Sequence, residues 1–142
     1  MPIISVEIVS VKAALPVAPK EATVTRRRIL VIEDSVDAVK STRLLLELQG
    51  HIVQVAYSGV RGLTVAQTFK PEVILLDIGL PGMDGYEVAR RLRDQPDTKK
   101  TLLIALSGYG QAEDLRKSKE AGFDHHLVKP ADTSQLQALI SF

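Results

Sequence analysis

The sequence contains no cysteine and no tryptophan, and only three tyrosines, three phenylalanines and three histidines in 142 residues. Without cysteine there is no disulfide framework and no thiolate metal site, which fits a reducing compartment. Two of the three histidines are adjacent, His125 and His126, too few for most histidine-rich metal sites. No apolar run exceeds about five residues, against about 20 needed to cross a bilayer. Residues 1–18 are apolar but lack a positively charged start, and Glu7 and Lys12 interrupt the apolar stretch that a secretory leader needs. A cytoplasmic protein without membrane contact is the expectation. Nine glycines and seven prolines are too few for a collagen-like or low-complexity chain.

Charge of one sign is also lacking. Eighteen basic residues face 17 acidic ones, for a net charge of +1. Residues 1–28 carry five basic groups (Lys12, Lys20, Arg26, Arg27, Arg28) and two acidic ones (Glu7, Glu21), hence +3; the remainder carries 13 basic and 15 acidic, hence −2. The mildly acidic body gives no basic footprint for nucleic acid. The Arg26–Arg28 run reads as a solvated lead-in to the first strand. Similarly, Arg90, Arg91 and Arg93 read as a solvated helix face.

What is present is regular alternation. Ile4, Val6 and Ile8 form a short strand-like pattern, and Pro16 and Pro19 make Ala14–Thr25 a linker. From Arg28 onward, strand and helix signals alternate five times. Strands are expected at Ile29–Ile32, His51–Ala56, Val73–Leu76, Thr101–Leu106 and His126–Val128. Helices are expected at Ser35–Gln49, from Ser58 to Phe69, from Asp84 to Arg93, up to Ala121, and after Asp132. Gly50 and Gly122 stop two of them. Asp84–Glu87 and Asp132–Gln135 have capping-box spacing, and Leu136, Leu139 and Ile140 share one face of the last helix. Such alternation implies an α/β domain with a parallel sheet and helices on both faces. Strands three and four are continuous apolar runs, as strands covered on both faces should be.

In such folds ligands sit outside the carboxyl ends of the strands. There the sequence puts Glu33 and Asp34 after strand one, Asp77 after strand three, Ser107 after strand four, and Lys129 and Pro130 after strand five. Any one acid here has a bland reading as a loop residue or helix cap; the set from four strand ends does not. Three carboxylates close together repel, by about 4 kcal/mol for two charges 4 Å apart at an effective dielectric of 20. A hard divalent cation removes that cost, and an all-oxygen set completed by water suits Mg²⁺. Asp77 can then attack a phosphoryl group as a nucleophile. Lys129 would neutralise charge from the side opposite the cation, and the Ser107 hydroxyl would donate to a phosphoryl oxygen. Other phosphate chemistries fail. There is no Gly-x-x-x-x-Gly-Lys loop, and Gly108-Tyr-Gly110 lacks a third glycine because position 113 is Glu. Glu33 and Asp34 would repel a flavin phosphate. Gly79 stands where a haloacid-dehalogenase-type phosphatase needs its second Asp.

Four stretches carry a family resemblance: Ile29-Leu-Val-Ile-Glu-Asp-Ser35, Val73-Ile-Leu-Leu-Asp-Ile-Gly-Leu-Pro-Gly-Met-Asp-Gly85, Ala105-Leu-Ser-Gly108 and His126-Leu-Val-Lys-Pro130. Over residues 27–140 the chain resembles the response-regulator receiver domain of two-component signalling. Ala105–Gly110 and Ala121–His126 look like receivers at the C-terminus of hybrid sensor histidine kinases. The resemblance implies a flavodoxin-like doubly wound five-stranded parallel sheet in the order 2-1-3-4-5. It divides the chain into an extension and linker, residues 1–25, and a receiver domain, residues 26–142. No output domain fits in the 12 residues after Pro130.

The same resemblance implies the roles. Asp77 is the expected phosphoacceptor. Glu33, Asp34, Asp77 and the Gly79 backbone carbonyl are the expected Mg²⁺ ligands, with Mn²⁺ as a substitute. Ser107 would follow the phosphoryl group, Lys129 would pair with it, and Lys129–Pro130 is expected to be cis. Gly79 and Tyr109 occupy positions that tune phosphoryl lifetime. The switch position is His126, where many members carry Tyr or Phe; it is either an exposed strand residue or a residue given space when phosphorylation draws Ser107 inward, with a two-state switch that is then weaker or pH-sensitive. Met83 and Pro81 shape the loop after Asp77. Leu44–Leu46 and Leu48 combine core with a docking stripe. The expected partner is a histidine kinase or a histidine phosphotransfer protein, with no nucleic acid; a homodimer is left open. The expected chemistry is limited to autocatalytic aspartyl phosphorylation and dephosphorylation, unless a longer chain makes it a hybrid histidine kinase. Two competitors remain: a phosphorylation-independent interaction module, and a hydrolase on the same fold.

Overall fold

A computed structural model describes residues 26–108 and 112–142. The strand-like alternation at Ile4–Ile8, the linker and Tyr109 lie outside them. Ten elements alternate along the described chain: β1 (Arg28–Ile32), α1 (Val36–Leu48), β2 (Ile52–Ala56), α2 (Gly59–Phe69), β3 (Val73–Asp77), α3 (Gly85–Asp94), β4 (Leu102–Ser107), α4 (Ala112–Ala121), β5 (His125–Val128) and α5 (Thr133–Ile140). The five strands are parallel, in the order β2-β1-β3-β4-β5. This is the flavodoxin-like order that the resemblance implied.

Alternation along each strand splits the apolar residues between two layers. Leu30, Ile32, Ile74, Leu76, Leu103 and Ala105 face one side and pack with Ala66 of α2, Val88 and Leu92 of α3, and Ala121 of α4. Ile29, Val31, Val73, Leu75, Ile104 and Leu106 face the other and pack with Leu46 of α1 and Leu136 and Ile140 of α5. Each buried Leu or Ile contributes roughly 1.5–3 kcal/mol, so two layers of this size carry the fold. Leu139 is only partly buried on the expected face of α5.

Local chemistry sets the helix starts. Ser35 accepts from Ala38 N–H at 3.3 Å, Ser58 from Arg61 N–H at 3.2 Å and Asp84 from Glu87 N–H at 2.9 Å. Asp132 accepts from Ser134 and Gln135 N–H at 2.8 and 3.3 Å. Each such cap is worth about 1 kcal/mol. The box at Asp84 differs from the expected pattern: the Glu87 carboxylate turns to Arg90 and Arg91, one turn along its own helix. Gly122 ends α4 with φ +109°.

The arginine runs differ from the sequence expectation as well. Arg28 donates to the Phe69 and Lys70 carbonyls at the end of α2. Arg27 donates to the Ile140 carbonyl at the end of α5 and lies 3.8 Å over the Phe142 ring. Arg26 donates to the Gly50 carbonyl. The run therefore closes helix ends whose carbonyls have no partner within the helix. Arg93 clasps the carbonyls of Gly122, Lys99 and Thr101 and pairs with Asp124 at 2.9 Å. Only Arg90 and Arg91 keep to the solvated face.

Gly85 lets α3 begin hard against the end of β3. A Cβ at this position would press on the Ile78 Cα and lie 2.9 Å from the Asp77 carbonyl oxygen. Gly85→Ala should therefore lower stability by about 1–3 kcal/mol in urea unfolding; an unchanged midpoint would show that this loop yields freely. His51, buried, accepts the Arg27 backbone N–H on Nδ1 at 3.0 Å. Burial, then the nearby Arg27 charge, holds its pKa below the ordinary 6.5. The unfolded chain thus takes up the proton first, and stability falls as pH drops below 6.5. His51→Asn should remove that part of the acid-side slope, and an identical slope in both proteins would reject the assignment.

Candidate functional site

Strand register brings the predicted residues together. Ile32 pairs with Leu76, Asp77 with Leu106, and Ser107 with Val128. Hence Glu33, Asp77, Ser107 and Lys129 arrive at one edge of the sheet within two residues of level. Ladder bonds continue past the strand ends: Glu33 N–H to the Ala56 carbonyl, Ile78 N–H to Leu106 and Lys129 N–H to Ser107, at 2.7 to 3.0 Å. The edge is held by backbone rather than by loops.

Lys129 is the centre of the polar network. Its Nζ donates to Glu33 Oε1 at 2.7 Å and to Asp77 Oδ2 at 3.0 Å. The Glu33 and Asp77 side chains are 4% and 10% exposed, whereas the Lys129 side chain is 35% exposed, so the carboxylates are buried and the cation reaches them from the partly wet side. Burial raises the Glu33 pKa; the Lys129 ammonium and the Ser35 N–H oppose that shift, and Asp77 adds to it. Burial alone would lower the Lys129 pKa, but hydrogen bonds to Glu33 and Asp77 outweigh it and the net direction is upward. The Lys129–Pro130 bond is cis.

Asp34, exposed, stands beside Glu33 and Asp77, and one carboxylate oxygen from each lies within 4.8 Å of the others. Among the described residues this is the group that fits a cation: oxygen donors only, two held by the sheet and one at the solvent edge where water completes the shell. Gly79 donates its N–H to Asp77 Oδ1 at 2.8 Å.

A groove of about 490 Å³ opens beside the carboxylates. Ala38, Ser41 and Leu45 of α1 form one wall, Pro130 and Ala131 the other, with Glu33 and Lys129 between. Of the expected α1 stripe, Leu46 is core, Leu45 lines this groove, and Leu44 and Leu48 are 60% and 76% exposed. Met83 packs against the core, whereas Pro81 is exposed.

Ser107 is buried and its hydroxyl meets His126 Nε2 at 2.7 Å. His126 is partly buried rather than exposed, and its ring contacts Ser107. Sequence reasoning missed Ser118, whose hydroxyl lies 2.6 Å from His126 Nδ1. Its only signal was a small polar residue three positions before the buried Ala121, on the inner side of α4.

Comparisons with known proteins bear on the family and the fold. The DNA-binding dual master transcriptional regulator RpaA of Synechocystis is 34% identical over 113 residues, covering 80% of this chain and 47% of RpaA. PilH of Pseudomonas aeruginosa is 32% identical over 114 residues, covering 80% of this chain and 94% of PilH. The chain thus spans nearly all of some relatives and about half or less of others. Among solved structures, the receiver domain of the sensor histidine kinase PA1611 from Pseudomonas aeruginosa superposes with a TM-score of 0.75 at 27% identity, covering 82% of this chain and 95% of that one; a magnesium ion is coordinated in its active-site cleft. The profile of the response regulator receiver domain matches residues 29–141, which is nearly the whole described fold. The chain therefore belongs to the response-regulator receiver domain family of two-component signalling.

Proposed function

We propose that this receiver accepts a phosphoryl group on Asp77 from a phosphohistidine of a histidine kinase or histidine phosphotransfer protein. The observation that carries the proposal is the Lys129 ammonium bridging two largely buried carboxylates beside a third. That arrangement is costly for stability alone, and it suits a site where further negative charge arrives.

The chemistry follows from the residues. An Asp77 carboxylate oxygen forms a bond to phosphorus while the bond from phosphorus to the donor imidazole nitrogen breaks, and the imidazole leaves with the electron pair. Glu33, Asp34, Asp77 and the Gly79 carbonyl would hold Mg²⁺, or Mn²⁺ in its place. When bound, the cation neutralises charge on the phosphoryl oxygens. Lys129 then exchanges one carboxylate contact for a phosphoryl oxygen. Ser107 donates its hydroxyl hydrogen to another, and its displacement starts the conformational change. Gly79 offers no side chain to position an attacking water, and Tyr109 would tune lifetime with it. The groove between α1 and the loop after β5 is where the donor histidine would enter. Residues 26–142 would form the receiver, with 1–25 as an N-terminal extension or linker, working in the cytoplasm. The similarity to a sensor-kinase receiver supports a hybrid kinase as the longer context, whereas PilH supports a stand-alone one.

Intact mass after incubation with Mg²⁺ and acetyl phosphate tests the proposal. One phosphoryl adduct is expected on the native chain, and none on Asp77→Asn or in the presence of chelator. No adduct on the native chain, despite Mg²⁺ binding, would favour a phosphorylation-independent interaction module. A second prediction concerns the cation alone. At tenfold its dissociation constant Mg²⁺ should raise unfolding stability by about 1.4 kcal/mol. The gain should vanish in Asp34→Asn, and an equal gain in that variant would move the cation elsewhere.

A further inference from the structure

His126 sits in the middle of a chain of hydroxyl groups running away from the site. Nε2 meets Ser107 Oγ at 2.7 Å on β4, and Nδ1 meets Ser118 Oγ at 2.6 Å on α4. Ser118 is 2% exposed, and the Tyr86 phenol of α3 stands beside it. Each of these short contacts needs one hydrogen between its two heavy atoms. A neutral imidazole carries one N–H, and each serine carries one O–H.

The hydrogen in the Ser107–His126 contact can sit in either of two ways. With the imidazole hydrogen on Nδ1, the bare Nε2 accepts the Ser107 hydrogen in this contact, which commits that hydrogen to the imidazole. With a hydrogen on Nε2, the imidazole donates to Ser107 Oγ and the serine keeps its own hydrogen for another acceptor. An imidazolium, protonated on both nitrogens, has the same effect on Ser107. A Tyr or Phe at this position has no ring nitrogen and cannot make the choice.

We propose that His126 is a positioning residue for phosphoryl transfer to Asp77: a hydrogen on its Nε2 frees the Ser107 hydroxyl to donate to the phosphoryl oxygen, and its absence withholds that donor. The proposal rests on Asp77 being the phosphoacceptor. Coupling runs both ways: a phosphoryl group that draws the Ser107 hydrogen favours the hydrogen on Nε2. Imidazole is the side chain that ordinarily changes charge between pH 5 and 8, so the coupling should appear as a pH dependence. Other charges bear on the same imidazole. Lys119 of α4, Asp124 before β5 and His125 of β5 line the cleft beside it. Asp124 is paired with Arg93 of α3. Asp84, Glu113 and Asp114 act at Tyr86. Lys129 lies at the end of the same strand, bound to Glu33 and Asp77. Of these, His125 is a second imidazole in the same strand, so it needs its own control.

The test follows the initial rate of phosphorylation by acetyl phosphate with Mg²⁺, read by intact mass from pH 5.5 to 8.5. The proteins are the native chain, His126→Phe, Ser107→Ala and His125→Gln. The ratio of native to His126→Phe rates should rise about fivefold or more between the alkaline and acid ends. His125→Gln should keep that rise and Ser107→Ala should lose it. A ratio that stays flat while every protein takes the adduct overturns the positioning role and leaves Asp77 as acceptor. Absence of any adduct on the native chain overturns the acceptor reading and this proposal with it. Should His126→Phe fail to fold, ¹⁵N resonances of the native imidazole decide. With Mg²⁺ and beryllium trifluoride as the phosphoryl mimic, Nε2 should shift to a protonated position. An Nε2 without hydrogen in both states rejects the proposal.

Discussion

Glu33 and Asp77 stand on neighbouring strands with their carboxylates side by side, and Lys129 reaches from two strands away to bridge them. The geometry of the site edge depends on that bridge. Two buried acids without a cation between them would repel by several kcal/mol, and neither apolar layer could compensate locally. The ammonium is held in place because β5 is aligned with β4 and β4 with β3. Its own backbone N–H closes on the Ser107 carbonyl at 2.7 Å. The ion pairs are thus a consequence of the sheet, and the sheet's apolar layers supply the stability that the ions do not.

The fold divides its labour by face and by edge. Both faces of the sheet are apolar and packed against helices, which leaves the carboxyl edge as the place where polar groups from several strands meet. Stability devices lie at the opposite end: Arg26, Arg27 and Arg28 close helix ends there, away from the acidic cluster. Gly85 lies at the acidic edge, letting α3 start directly behind Asp77. His126 links the acidic edge to the α3 and α4 side through Ser107 and Ser118. These contacts join β4, β5 and α4.

Much of this was legible along the chain. The alternation of short β-branched runs with capped helices determined an α/β sheet with two covered faces, because burial on both sides demands strands apolar throughout. Residues at strand ends are identifiable by position alone, so Glu33, Asp34, Asp77, Ser107 and Lys129 could be named before any geometry was known. Less legible were residues whose role depends on a distant backbone. Arg93 looks like its neighbours Arg90 and Arg91 in a helical stretch, yet it reaches the Gly122 carbonyl 29 residues away. The Arg26–Arg28 run has the composition of a solvated leader, and only the placement of α2 and α5 turns it into a set of caps. Ser118 is one serine in a polar helix until α4 packs against β5.

By itself, then, the sequence determined which side chains stand at strand ends, which faces are apolar and where helices begin, since these follow from period, cap chemistry and turn residues within a few positions. Tertiary structure alone decided the contacts between elements remote in the chain. It decided that Lys129 binds both Glu33 and Asp77, that His126 turns inward between two hydroxyls, and that the arginines close helix ends. The physical reason is that such contacts depend on strand register and helix packing. These are set jointly by the whole core, and no local stretch of sequence carries them.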